Sequence, residues 1–136
     1  MNKCSKLIKI LTLPRFLIKK MKKYKVVFHL DEVVRDRVNL VLNNIENLMA
    51  DLGEDHVEIE LVANFKGVAA FLKDPDIFVA KIEQLSGRGV QFAACANSLQ
   101  SLGILPEDLL EFVEVVPAGV GELVKKQALG WAYIRP

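Results

Sequence analysis

Cys95 is the strongest candidate for chemistry in this sequence, because it stands where an apolar run, VQFAAC, gives way to a polar segment, ANSLQSLG. A thiol at the start of a helix feels the positive end of the helix dipole and unpaired backbone N–H groups, and both favour the reactive thiolate. The same N–H groups could hold the outer sulfur of a persulfide, and Asn97 and Ser98 could add donors. The alternative is that Cys95 is a small buried hydrophobic residue that completes a strand.

Four further residues could support a site. His29 could act as a base or orient a thiol at neutral pH, although taken alone it fits better as a partly buried histidine with a backbone partner. Asn64 could supply an amide, although such asparagines more often only form turns. Gly119 and Gly121 begin a helical segment and could bind an anion there, but they lack the full dinucleotide or P-loop pattern.

Other kinds of chemistry lack their motifs. Two cysteines, at positions 4 and 95, make neither a disulfide framework nor a zinc site, and we expect no metal and no separate cofactor. Free thiols fit a reducing compartment, so the sequence predicts a cytoplasmic protein. There is no GxSxG elbow, and no pair of acidic residues at helical spacing faces a cleft, so hydrolase chemistry has no support.

The charge is divided unevenly along the chain. Residues 1–23 hold eight basic side chains and no acidic one, whereas the remainder holds 10 basic and 17 acidic side chains, a net charge of −7. Nucleic-acid binding needs clustered Lys and Arg, so we expect no nucleic-acid partner for so acidic a body.

The basic segment differs from the rest of the chain. Lys9, Pro14 and Arg15 interrupt its apolar residues and no small-residue cleavage site follows, which argues against a signal peptide. A basic amphipathic segment on an anionic membrane is another interpretation. Because Met21 stands directly before KKYKVVFHL, the sequence favours a basic extension or loosely ordered tail over residues 1–20, without membrane contact. A single domain is then predicted over residues 21–136.

Hydrophobic patterning predicts the elements that position these residues. Strands are expected at Tyr24–Leu30, Val57–Ala63, Val90–Cys95, Val113–Pro117 and Trp131–Pro136. Apolar spacings of three and four predict a long helix after Asp31, its expected N-cap, that ends near Gly53. Further helices are expected over residues 66–73, 76–86, 96–103 and 119–130, and Pro106 suits a first helical position.

Alternating strands and helices predict an α/β domain, a three-layer sandwich around a mostly parallel five-stranded sheet. In such sheets, ligands meet the loops at the carboxyl ends of the strands. Those loops begin at Leu30–Asp31, Asn64, Cys95 and Pro117. The candidate residues should therefore meet at one edge of the domain.

Five segments carry a resemblance to a known family: KVVFHLD, VNLVLNNIENLMADLG, VEIELVAN, GVQFAACANSL and VEVVPAGVGELVKKQALGWAYIRP. They resemble the DsrE/DsrF-like family, including its YchN-like members. The resemblance runs from about Lys25 to Pro136, and the cysteine segment matches the family's strand, Cys, two residues, Ser, then a helix closing on Gly, here Cys95, Ser98 and Gly103. In sulfur-relay members, the cysteine at the position of Cys95 carries sulfur as a persulfide, with dedicated donor and acceptor proteins. Family members also commonly form trimers or hexamers.

Three functions are compatible with these residues. The leading prediction is a sulfur-carrier-like protein or sulfurtransferase, in which Cys95 accepts sulfane sulfur and passes it on. The alternative is a non-catalytic homo-oligomeric module that binds a small anion through Asn64, Gly119 and Gly121. A redox sensor is weaker, because no resolving cysteine lies near Cys95 in the sequence.

Overall fold

Within residues 24–136, the part of the chain that this computed structural model describes, one five-stranded sheet has the order β4-β3-β2-β1-β5. All four strand pairs are parallel. The strands are β1 (Tyr24–Leu30), β2 (Val57–Ala63), β3 (Gln91–Cys95), β4 (Glu114–Val116) and β5 (Ala132–Ile134). The predicted extension over residues 1–20, with Cys4, lies outside the described residues.

Helices cover both faces of the sheet, so the predicted three-layer α/β architecture is confirmed. They are α1 (Arg35–Leu52), α2 (Val79–Gly87), α3 (Ala96–Leu102) and α4 (Gly119–Ala128). Short 3₁₀ helices at Glu54–His56, Phe65–Phe71 and Pro106–Asp108 occupy the connections. Parallel strands need such crossover connections, and these place helices on the sheet faces.

The larger core lies between the sheet and helices α1 and α2. The buried face of α1 repeats at helical spacing, as the sequence predicts, through Val38, Val41, Leu42, Ile45 and Met49. It packs with the side chains that β1 and β2 direct to this face, among them Phe28 and Leu61, each at most 1% exposed. This core fixes the strands whose ends carry the candidate site.

A smaller core lies on the opposite face, beneath α4. It contains Val27, Val62, Ala93, Val116, Leu123 and Trp131. Side chains alternate between the two faces along a strand, so residues two positions apart share a face. His29 follows Val27 by two positions in β1, and Cys95 follows Ala93 by two positions in β3, so both lie on this face near the carboxyl ends of their strands. The helix that covers the smaller core therefore starts beside the candidate site.

One local prediction is wrong, and another differs in its bounds and geometry. Asp31 does not cap α1, which begins four residues later after an extended Val34; the Asp31 carboxylate instead pairs with the Arg135 guanidinium at 2.6 Å. The short helix predicted over residues 66–73 is present at Phe65–Phe71, but it has 3₁₀ geometry and follows β2 after a single residue, Asn64. In both places a tertiary contact or a tight turn overrides the local helical signal.

None of the helices within residues 24–136 is long and apolar enough to cross a membrane.

Candidate functional site

The predicted meeting point of the strand ends exists, at the carboxyl edge of β2 and β3. Cys95 ends β3 and directly precedes α3, while Gly119 begins α4. The position that a β-carbon on Gly119 would occupy is 2.9 Å from the Asn64 β-carbon and 3.3 Å from the Cys95 β-carbon. Three segments that are distant in the sequence thus come into contact around one thiol.

The Cys95 sulfur is surrounded by hydrogen-bond donors. The Ser98 hydroxyl and the backbone N–H groups of Asn97, Ser98 and Gly119 are the donors whose hydrogen bonds lower the pKa of the Cys95 thiol. The helix start supplies two of these N–H groups, because the first amides of a helix have no partner within the helix. Gly119, which the sequence offers as a candidate anion-binding residue, adds one from the start of a second helix.

These contacts act on the acidity of the thiol in opposite directions. Burial of Cys95, which is 6% exposed, raises the pKa of its thiol because a low-dielectric surrounding disfavours the anion. The hydrogen bonds from Ser98, Gly119 and Asn97 outweigh that cost, so the pKa lies below its usual value. Cys95 is therefore both buried, as its alternative interpretation required, and biased toward thiolate.

The Ser98 hydroxyl has a separate partner for its oxygen, which leaves its proton to be donated to the sulfur. The backbone N–H of Phe65 donates to Ser98 Oγ at 2.6 Å. Phe65 has φ 50°, a left-handed conformation that a bulky residue rarely adopts, and its ring is 58% exposed. Ser98 thus joins the turn after β2 to the thiol. No sequence pattern marks a left-handed phenylalanine, so Phe65 is not among the predicted site residues.

The Ser98 contact leads to a testable expectation. Hydrogen bonds to charged groups contribute roughly 1.5–3 kcal/mol, so Ser98→Ala should lower the thiolate fraction at pH 6 about tenfold. Alkylation of Cys95 by iodoacetamide at pH 6, in a chain carrying Cys4→Ser, measures this as a rate. Ser101→Ala is the matched control, because Ser101 is an exposed residue of the same helix. Equal rates for Ser98→Ala and Ser101→Ala would contradict the assignment.

His29 is connected to this site through Asn64. Its Nε2 donates to Asn64 Oδ1 at 2.7 Å, and its Nδ1 lies 2.7 Å from the Tyr133 hydroxyl. In the neutral ring with a proton on Nε2, Nδ1 accepts from that hydroxyl. Both ring nitrogens therefore have partners, and His29 acts on the Asn64 amide rather than directly on the sulfur. Tyr133, which β5 brings beside β1, was not anticipated from the sequence.

The remaining sequence candidates divide clearly. Asn97 is exposed, and its backbone N–H contributes to the hydrogen bonds around Cys95. Gly121 lies two residues after Gly119, in the first turn of α4. A β-carbon on Gly121 would meet only the Ala118 β-carbon, at 3.7 Å. Gly119 is thus part of the site and Gly121 is not in contact with Cys95. Across residues 24–136, no three His, Cys, Asp or Glu side chains are grouped as metal ligands would be.

Comparison with known proteins gives a consistent result. The family model described as the DsrE/DsrF-like family matches residues 22–136. A protein of unknown function from Methanobacterium thermoautotrophicum, MTH1491, is 48% identical, with a TM-score of 0.79, and the match covers 83% of this chain and 99% of that one. The ychN protein from E. coli has a TM-score of 0.71 over the same shares at 16% identity, which is a likeness of fold. No curated protein matches the chain.

Proposed function

The chain belongs to the DsrE/DsrF-like family, and from that premise we propose that it is a sulfur carrier in which Cys95 holds sulfane sulfur as a persulfide. The observation that carries the proposal is the group of four donors around one sulfur, which favours an anion there despite burial. A packed structural cysteine needs no such donors, because a neutral thiol is only a weak hydrogen-bonding group.

The proposed transfer has two displacement steps. The Cys95 thiolate attacks the outer sulfur of a donor persulfide, the donor's S–S bond breaks, and the donor leaves as a thiolate. An acceptor thiolate then attacks the outer sulfur of the Cys95 persulfide, and Cys95 leaves as a thiolate. Each step exchanges one S–S bond for another, so no external oxidant or reductant is needed.

The surrounding donors suit both halves of this cycle. A leaving thiolate departs faster when its pKa is low, so the bonds from Ser98, Asn97 and Gly119 favour release of sulfur to an acceptor. The Asn64 and Cys95 β-carbons both lie within 3.3 Å of the position that a β-carbon on Gly119 would occupy. The Asn64 amide nitrogen is directed away from His29, because the amide oxygen accepts the His29 bond. In the proposed persulfide, that nitrogen would donate a hydrogen bond to the outer sulfur.

A donor or acceptor protein must reach a sulfur that is 6% exposed. The rim beside it carries exposed apolar side chains, Phe65 and Val120, at 58% and 61%. We take this rim as the contact surface for donor and acceptor proteins in the proposed cycle. The trimer or hexamer that the family resemblance implies, and a cytoplasmic location, remain part of the same proposal.

Sulfur loading tests the function directly. Brief exposure of the full chain carrying Cys4→Ser to a polysulfide should add one sulfur mass to the intact protein, and a reductant should remove it. The same chain with Cys95→Ser should gain nothing, because its hydroxyl is not a nucleophile toward sulfane sulfur. No adduct on the Cys95 chain, under conditions that load a known sulfur carrier, would overturn the proposal and favour the anion-binding module.

A further inference from the structure

Glu60 is a buried acid that the proposed transfer does not use. It lies in the middle of β2 on the face beneath α4, and it is 3% exposed. It is the one buried polar or charged residue of the described part of the chain, and its Oε1 has no hydrogen-bond partner there. Burying a carboxylate with an unpartnered oxygen costs several kcal/mol, so such groups are paired or neutral.

Its neighbours are two charged residues of α4. Lys126 Nζ lies 3.5 Å from Glu60 Oε2 and 3.9 Å from Glu122 Oε1, so the ammonium stands between two carboxyl groups. The same ammonium lies 4.3 Å from the centre of the Trp131 ring, which favours keeping it charged. Two carboxyl groups and one ammonium leave an excess negative charge in a buried site unless one carboxyl is protonated.

Protonation of Glu60 removes that excess. Burial raises the pKa of Glu60 most, Lys126 lowers it, and the nearby Glu122 carboxylate raises it again, to a value of about 7. A protonated Glu60 can donate its O–H to the Glu122 carboxylate. Above that pH the two carboxylates repel each other across the interface between β2 and α4.

We propose that Glu60 is a positioning residue for the Cys95 site: protonated, it holds the first turn of α4 against the sheet, and ionised, it releases that turn. Glu122 lies three residues after Gly119, in the first turn of α4. Repulsion between Glu60 and Glu122 therefore acts on the turn whose N–H donates to Cys95. Ionisation of Glu60 withdraws this donor, and the thiolate loses a stabilising contact.

The other titratable groups on this side of the sheet lie further from Glu60 along the strands or along α4. They are Lys25 and His29 of β1, Glu58 of β2, Glu114 of β4, Lys125 of α4 and Tyr133 of β5. Of these, Lys25 and Glu58 are paired in register, and His29 is bonded to Asn64 and Tyr133. None stands between Glu60 and Glu122 as Lys126 does.

The first test is thermal unfolding as a function of pH, with Glu60→Gln. Glutamine reproduces the shape and neutrality of the protonated acid. The pKa of Glu60 is higher in the folded chain, so its stabilising contribution is complete below about pH 4.5, falls as the pH rises, and is lost above about pH 7. The Tm of Glu60→Gln should match the original chain at low pH and exceed it by at least about 5 °C above pH 7.

Glu58→Gln is the matched control for this comparison. It removes the same formal charge from the same face of the same strand, but from a more exposed residue. Its Tm difference from the original chain should stay flat across the same pH range. A flat difference for Glu60→Gln as well would overturn the protonation of Glu60 in the folded chain.

The second test reads the thiol, which a merely structural role of Glu60 would not change. In the full chain with Cys4→Ser, the alkylation rate of Cys95 against pH should show an additional inflection near pH 7. Glu60→Gln should remove this inflection and leave a single ionisation. Lys126→Met, which removes the ammonium that lowers the Glu60 pKa, should move the inflection to higher pH. An inflection that persists in Glu60→Gln would overturn the positioning role.

This inference builds on the proposed function only in giving the thiol a purpose, because neither test requires sulfur transfer. A chain that fails to load sulfur but shows the inflection, and loses it in Glu60→Gln, would reject the carrier and retain the positioning role. If the chain loads sulfur, and the alkylation rate of Cys95 depends on pH in the same way with Glu60 and with Glu60→Gln, the carrier is retained and the positioning role is rejected.

Discussion

Gly119→Ala is expected to slow alkylation of Cys95 at pH 6 about tenfold and to destabilise the fold by about 1–3 kcal/mol. The new β-carbon would stand 2.9 Å from the Asn64 β-carbon and 3.3 Å from the Cys95 β-carbon. Non-bonded carbon atoms rest at about 3.5–4.0 Å, so the first turn of α4 must move away from the sheet. That movement takes the Gly119 N–H away from the sulfur and raises the pKa of the thiol.

The sign of the stability change makes this prediction sharp. In an unhindered helix, replacing glycine with alanine stabilises by up to about 1 kcal/mol. Gly121→Ala provides that comparison within the same helix, since its β-carbon would meet only the Ala118 β-carbon at an ordinary 3.7 Å. Gly121→Ala should therefore be neutral or stabilising and leave labelling unchanged.

Two measurements on both variants, each carrying Cys4→Ser, test this prediction: urea unfolding and the alkylation rate of Cys95 at pH 6. If Gly119→Ala labels as fast as the unaltered chain, Gly119 does not hold the thiolate. If it is also as stable as Gly121→Ala, the close approach of α4 to the ends of β2 and β3 is not tight.

The sequence predicted the sheet more completely than the turns. The strands Tyr24–Leu30 and Val57–Ala63 were predicted with their observed bounds. The first is a short run rich in β-branched and aromatic residues, and the second alternates apolar and acidic residues at its start, which are both patterns typical of strands. The start of α1 was misplaced, because Asp31 has the chemistry of an N-cap and only the tertiary contact with Arg135 shows that it serves elsewhere.

The site was partly predictable for a physical reason. Carboxyl ends of parallel strands must share an edge, so Cys95, Asn64 and Gly119 could be expected near one another once the strands were assigned. The left-handed Phe65, the Tyr133 hydroxyl bonded to His29, and the partners of Glu60 could not. Each depends on a contact between side chains far apart in the sequence, which no local spacing records.

Gly67→Ala is expected to have the largest effect on stability, a loss of about 3 kcal/mol or more in the free energy of unfolding. Its β-carbon would lie 2.2 Å from the Leu30 carbonyl oxygen, 2.8 Å from the carbonyl carbon and 3.2 Å from the Asp31 α-carbon. All three are backbone atoms at the end of β1, so no side-chain rotation relieves the clash. Either the 3₁₀ helix or the end of the strand must move.

The movement should reach the candidate site through Asn64. The Leu30 carbonyl accepts the Asn64 N–H at 3.0 Å, and the Gly67 N–H donates to the Asn64 carbonyl at 3.0 Å. A displaced Leu30 carbonyl breaks the first of these bonds, and the Asn64 amide then loses its position beside His29 and Gly119. We therefore expect slower sulfur loading in whatever fraction of Gly67→Ala folds.

Gly87→Ala is the matched control, because a β-carbon at Gly87, the last residue of α2, would meet nothing within 4 Å. Urea unfolding should show Gly87→Ala close to the unaltered chain, and Gly67→Ala with a much lower midpoint or no folded baseline. Similar midpoints for the two variants would mean that the turn after β2 is not pressed against β1. In that case the alanine would not displace Asn64, and His29→Ala, which removes the bond to the Asn64 amide oxygen, would become the variant that tests its position.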